Sequence, residues 1–346
     1  MYERLAPLTH DSLDDIPEPS ETLRLVGHHD AREMLRSAHA GSKLHHAILL
    51  SGPQGIGKAT LAFQFAAQLL GEGTPGGFDP RDPAGGLYRQ IASGAHPGVL
   101  HLSRPYDDKT KKFRTVITAD EIRRVSRFLS LRTHDGGYRI VIVDPADDMN
   151  RSAANALLKN LEEPPSKVLF ILISHSPGRL LPTIRSRAQV IKFQPLGVDD
   201  LFEAMGALQV ALPGTAEERA ELARRAGGSP RAAILLTLHG GLEIAQATDK
   251  LIAGRSNDVA AAYKLADAVT GRDAGMQFQL FNAYALERLS EAATTLGHDG
   301  HAAAAARVAD AWTDATRRIG ETEAYNLDKK QHVMSMLQTL REQLAA

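Results

Sequence analysis

Three unbroken apolar runs stand out in the first half of the chain: Ala47-Ile48-Leu49-Leu50, Ile140-Val141-Ile142-Val143 and Val168 to Ile173. Continuous hydrophobicity over strand length predicts strands buried on both faces, the pattern of a parallel sheet. Val99 to Leu102 alternates as a half-buried strand does, and Gln189 to Phe193 reads as a last strand. Helical spacing fills the intervals. One helix follows Leu25-Val26-Gly27-His28 as far as Ala40, and another carries Leu61, Phe65 and Leu69. Thr118-Ala119-Asp120-Glu121 fits a capping box that opens a helix to about Leu131. A further helix spans Asn150 to Glu163 and is closed by Pro164-Pro165. Met1 to Thr22 is polar and reads as an extended leading segment, and Gly71 to Gly86 as an irregular insertion. Leu196 to Gly240 predicts a small helical lid. From Leu242 to Ala346 apolar residues recur at helical spacing with few breakers, the mark of a helical bundle. The predicted architecture is an α/β domain with a parallel sheet and flanking helices, then a helical lid and an all-α domain. Its divisions are 1–22, 23–195, 196–240 and 241–346.

The first run leads into the chemistry. Gly52-Pro53-Gln54-Gly55-Ile56-Gly57-Lys58 joins strand to helix and follows the phosphate-loop pattern GxxxxGK[ST] except at its last position. Glycines allow successive N–H groups to form a nest for an anion, and the helix N-terminus adds partial positive charge. Lys58 lies in the first helical turn, where the dipole disfavours a cation unless an anion offsets it. Ala59 stands where a magnesium-holding hydroxyl is expected, with Thr60 after it. The second run ends in Asp144, a carboxylate delivered to the C-terminal edge of a sheet, where open α/β folds place their sites. Pro145 follows it, at the position where a phosphate-loop ATPase carries a water-polarising glutamate. Asp147 needs a different backbone path to take that part. Without a positioned base, about 10²–10⁴ in rate is lost. The third run ends in Ser174-His175-Ser176. Ser229 and Pro230 predict a helix start, and Arg231 falls in its first turn, again against the dipole.

Composition narrows the reading. Lys and Arg total 40 against 41 Asp and Glu, so no global field captures nucleic acid, and any such contact comes from local patches. There is no cysteine, which excludes disulfides, thiol chemistry and the common zinc-ribbon ligands. No stretch has the apolar length of a transmembrane helix, and the acidic, proline-containing start is unlike a secretory leader. The expectation is a cytoplasmic protein with no membrane contact. The histidines at 28–29, 45–46, 96 and 101 have no partner acids at ligand spacing and read as structural, so no metal site is expected.

The stretches AANALLKNLEEPP and LFILISHSPGRLLPTIRSRAQ resemble the AAA+ domain of bacterial clamp loaders, over about Val26 to Phe193. That family carries a Ser-Arg-Cys motif whose arginine reaches a neighbouring subunit's ATP. Ser186-Arg187-Ala188 keeps the Ser-Arg pair and lacks the cysteine. The resemblance implies nucleotide contacts at Gly52, Pro53, Gln54, Gly55, Ile56, Gly57, Lys58, Ala59, Thr60, Asp144, Ser174 and Arg231. Arg231 is then a sensor of the γ-phosphate, or else an ordinary surface arginine. It implies ATP or ADP as ligand with magnesium capture in doubt and no zinc, and an arginine finger at Arg187 acting in trans. It further implies the tau/gamma and delta subunits as partners through the AAA+ faces and a C-terminal collar, together with the sliding clamp and primer-template DNA. Asn150 and Arg151 at a helix start, with Arg123, Arg124 and Arg127, are the DNA-facing candidates. Lys109 to Arg114 reads either as a solvated hairpin or as a nucleic-acid-facing loop. The alternative function is an autonomous AAA+ ATPase, motor subunit or helicase loader. The phosphate loop favours it, and Ala59 and Pro145 oppose it.

Overall fold

The computed structural model describes residues 3–71, 78, 81–130, 137–254 and 258–344. Two compact units emerge, Met1–Ala232 and Ala233–Ala346. In the first, the elements run α1 (His29–Ala40), β1 (Ala47–Ser51), α2 (Lys58–Leu69), α3 (Gly86–Ala92), β2 (Val99–Leu102), β3 (Tyr106–Asp107), β4 (Lys112–Phe113), α4 (Ala119–Ser130) and β5 (Arg139–Val143). They continue with α5 (Arg151–Glu162), β6 (Val168–Ser174), α6 (Pro182–Arg185), β7 (Gln189–Lys192), α7 (Val198–Ala207), α8 (Ala216–Ala226) and α9 (Pro230–Leu238), the last crossing the boundary between units.

The main sheet has the order β2-β5-β6-β1-β7, parallel throughout. The three apolar runs are its central strands, and every residue of β1 and β6 is buried. Alternate residues feed two cores, as the two-residue period of a strand requires. Ile48, Leu50, Ile140, Ile142, Ile171 and Ile173 face the side of α1 and α2, where Leu35, Leu61 and Phe65 pack. Leu49, Val141, Val143, Phe170 and Leu172 face the opposite side, against Ile122, Val125, Leu157 and Leu161 of α4 and α5. Strand order reverses about β1. The C-terminal ends of β1, β5 and β6 therefore open side by side, with Ser51 paired to Ser174.

Some local outcomes differ from expectation. The helix α3, burying Tyr88, Ile91 and Ala92, lies in a stretch whose glycines and prolines gave no helical signal. Half of the Gly71–Gly86 segment and the predicted helix end at Leu131 lie outside the described residues. Residues 3–22 are not extended but turn repeatedly. The Glu21 carboxylate accepts from the N–H groups of Leu5 (2.5 Å), Ala6 (3.2 Å) and Glu18 (3.0 Å), and Arg4 bonds the carbonyls of Leu13 (2.6 Å) and Ile16 (3.1 Å). The basic run forms the β3–β4 hairpin, with Arg114 paired to Asp107 and Lys111 to Asp108.

The second unit comprises α10 (Gly241–Ala253), α11 (Val259–Thr270), α12 (Gly275–His298), α13 (Ala302–Ala324) and α14 (Lys329–Leu344). Phe278, Phe281, Leu289, Val333 and Leu340 centre its core. A polar cluster is built into it: His332 bonds Asn282 Oδ1 at 2.9 Å and Thr322 Oγ1 at 3.3 Å. Among the described residues no helix is long and apolar enough to cross a membrane.

Candidate functional site

Gly52, Gly55 and Gly57 turn the chain from β1 into α2 with φ of 156°, 74° and 103°. At Gly55 the backbone lies so close to α9 that a Cβ would come within 2.2 Å of Arg231 Cβ. Ile56 anchors the loop by burying its side chain in the core. Among the described residues, nothing accepts a hydrogen bond from the N–H groups of Gly55, Gly57 or Lys58, and α2 has no side-chain cap. Those donors, at a helix N-terminus, suit an anion of phosphate size.

Lys58 is 2 % exposed. Its ammonium donates to Gly52 O at 2.6 Å and to Pro53 O. Burial brings its pKa down to about 8, while Asp144 and Asp147 oppose the shift. The anions that offset this lysine are thus carboxylates of the neighbouring strand ends. The adjoining Ala59 offers no side-chain oxygen to a metal.

The three carboxylates after β5 have different fates. Burial pushes Asp144 up to about 7, Asp11 adds to the rise, and Lys58 restrains it. Asp147 accepts from Ser174 Oγ at 2.7 Å, His175 N at 2.5 Å and Ser176 N at 3.1 Å. Asp148 is held by Arg104 Nε at 2.5 Å. Asp147 is therefore a clamp across the ends of β5 and β6, a part that sequence spacing alone does not reveal. Ser174 is fully buried and its hydroxyl is committed to that clamp. His175 is driven down to about 4, by burial first and Lys58 second.

Asp144 gives a pH prediction. Its folded pKa lies above the ordinary 3.8. The native state therefore holds the proton longer than the unfolded chain, and stability falls as pH rises from about 4 to about 7. Asp144→Asn should raise the unfolding free energy at pH 8 by on the order of 3 kcal/mol, a gain that vanishes below pH 4. Urea unfolding monitored by amide exchange on β5 at the two pH values checks it.

The start of α9 is fastened to the phosphate loop. Ser229 Oγ donates to Gln54 O at 2.9 Å and accepts from Ala232 N at 3.2 Å, while Arg231 N donates to Gly55 O at 3.2 Å. Gly228, at φ 72°, allows the chain to press on Leu196, whose N–H donates to Gly228 O at 3.0 Å. The Arg231 guanidinium lies 3.9 Å from the Asp11 carboxylate, so its placement in a first helical turn is offset by an acid from the leading segment. Asp11 gave no signal in the sequence, because only tertiary folding brings it here. His28, in a left-handed turn before α1, bonds Ile56 O at 2.5 Å from the other side of the loop.

The structure thus brings Gly52–Thr60, Asp144, Ser174 and Arg231 to one rim of the sheet. The remaining candidates lie elsewhere. Arg187 follows α6, 37 % exposed, with Glu162 at 2.9 Å and Thr183 O at 3.1 Å. Asn150 caps α5 by accepting from Ala153 N at 2.8 Å, and Arg151 beside it is exposed. On α4, Arg123 pairs with Asp120 and Arg124 with Glu121 at 2.6 Å, while Arg127 is exposed. Among the described residues no group of His, Asp or Glu could hold a metal ion.

A parallel sheet of this order, with a phosphate loop after β1 and an acid after β5, defines an AAA+ phosphate-loop domain. Residues 27–197 match the family described as DNA polymerase III, delta subunit. Over that stretch the chain resembles the delta-prime type of DNA polymerase III clamp-loader subunits. It is 38% identical over 212 residues to subunit delta' of Pseudomonas aeruginosa, covering 59% of this chain and 57% of that one. With subunit delta' of Escherichia coli the identity is 31% over 206 residues, 59% of this chain and 58% of the other. Subunit tau of Bacillus subtilis is 28% identical over 187 residues, 54% of this chain and 31% of tau. The chain spans about half the length of the delta' relatives it matches.

Proposed function

We propose that this chain serves in the cytoplasm as a non-hydrolysing, delta-prime-type subunit of a clamp loader. It joins tau/gamma and delta subunits through its AAA+ faces and its C-terminal helical unit, and helps place a sliding clamp on primer-template DNA. Gly52–Thr60 retains the means to hold the phosphates of ATP or ADP, with Lys58 and the free N–H groups as donors. Magnesium fits poorly, because Ala59 lacks a side-chain hydroxyl. Arg187 acts on the ATP of the adjoining subunit.

One observation carries the non-hydrolysing reading. Proline occupies the position after Asp144, and the next two acids are already engaged, Asp147 by three donors and Asp148 by Arg104. Among the described residues, neither acid that follows Asp144 has a carboxylate free to take the place of the missing glutamate. The test is phosphate release by the purified chain with Mg-ATP and primed DNA. The expected result is no turnover above buffer. Sustained release abolished by Lys58→Ala would establish an autonomous ATPase instead.

DNA contact through Asn150, Arg151 and the arginines of α4 is proposed as backbone tracking. It should be sequence-independent and salt-sensitive.

A further inference from the structure

We propose that Asp11 occupies the place of a terminal phosphate, so that the site accepts a nucleoside diphosphate in preference to a triphosphate. This deepens, and rests on, the reading of Gly52–Lys58 as a phosphate loop.

The loop N–H groups and the α2 N-terminus form the inner part of the site. Arg231 marks its outer part, since its own N–H is bonded to the crown of the loop at Gly55. A diphosphate engages the inner donors and leaves Arg231 undisturbed. A third phosphate extends toward the guanidinium, the one cation at the start of α9, and there it meets a carboxylate already in position. The Asp11 carboxylate lies 3.9 Å from Arg231 and accepts from Thr9 Oγ1 at 2.9 Å. Its field also reaches Asp144 and His175.

Asp11 is not carried on a loose tail. Ser12 Oγ accepts from Thr9 N at 2.7 Å and closes a turn around Asp11. Arg4 bonds the carbonyls of Leu13 and Ile16 just beyond it. Glu21 gathers the N–H groups of Leu5 and Ala6 before it. Expelling Asp11 means undoing this fastening as well as the ion pair. A γ-phosphate that entered without expelling it would set like charges side by side in a partly desolvated pocket.

The experiment is equilibrium binding of fluorescently labelled ADP and of a non-hydrolysable ATP analogue to the full chain, as wild type, Asp11→Asn and Asp11→Ala. Circular dichroism verifies that the variants fold. The wild type should bind ADP at least about tenfold more tightly than the triphosphate analogue. Both substitutions should narrow that ratio to about threefold or less by tightening the triphosphate and leaving ADP unchanged. Equal affinities in the wild type overturn the proposal, as does a ratio unmoved in both variants. If neither nucleotide binds, or if binding survives Lys58→Ala, the phosphate-loop reading itself has failed, and the proposal falls with it.

Discussion

Replacing Arg187 with alanine should lower ATP hydrolysis at the adjoining subunit by about a thousandfold, the lower end of what an arginine finger is worth. Assembly of the complex, followed by size exclusion, should not change. The side chain follows α6, is 37 % exposed and, among the described residues, pairs with Glu162. Exposed pairs of this kind are worth about 0–1 kcal/mol, so a partner's triphosphate can draw the guanidinium away at little cost. The phosphate offers more charge and a geometry that a planar fork can bind through two hydrogen bonds. Arg187→Lys should recover only a small part of the rate, because an ammonium keeps the charge and loses the fork. Single-turnover hydrolysis in the reconstituted complex is the measurement, and full activity in the alanine complex would remove the finger role.

Asp147→Ala should destabilise the first unit by about 3 kcal/mol, since the buried Ser174 hydroxyl and the half-buried His175 N–H lose a charged acceptor together, while the exposed Ser176 N–H turns to water. The Ser174 hydroxyl lies wholly inside the protein, and the His175 and Ser176 N–H groups have Asp147 as their acceptor. The effect should be confined to the α/β unit. Trp312 is the single tryptophan and belongs to the second unit, so its fluorescence transition should stay in place. Amide exchange along β6 should accelerate by a factor of about 10² or more at the stated loss. Asp147→Asn should be milder, because an amide oxygen still accepts while its NH₂ opposes the neighbouring donors. If β6 protection were unaltered in the alanine variant, the clamp reading of Asp147 would be wrong.

The sheet was legible in the sequence because strands buried on both faces admit little but aliphatic residues. Ile48, Val141 and Phe170 announce themselves in that way. The phosphate loop was legible because a tight strand-to-helix turn requires glycine at positions such as 55 and 57, where φ is positive. Helix starts at Asn150 and Ser229 could be read from their capping side chains. What escaped was set by tertiary contact alone. Helix α3 hides among glycines and prolines, and its amphipathic stripe is too short to register. Asp147 looked like a displaced catalytic acid, because nothing local shows that β6 will present a hydroxyl and N–H groups to it. Asp11 looked like one more acid in a polar leader, yet it comes to lie against a residue some 220 positions later. Polar groups acquire their roles from partners distant in sequence, and no periodicity encodes that.

Glu162 gives Arg187 a resting place in the unassembled chain. A bare guanidinium on a protein surface would attract every passing polyanion, from stray RNA to free nucleotide. The exposed pair with Glu162, worth about 0–1 kcal/mol, weakens that attraction only slightly. In the proposed finger role, a second surface that excludes water and holds an anion in register would draw the side chain away from Glu162 most strongly.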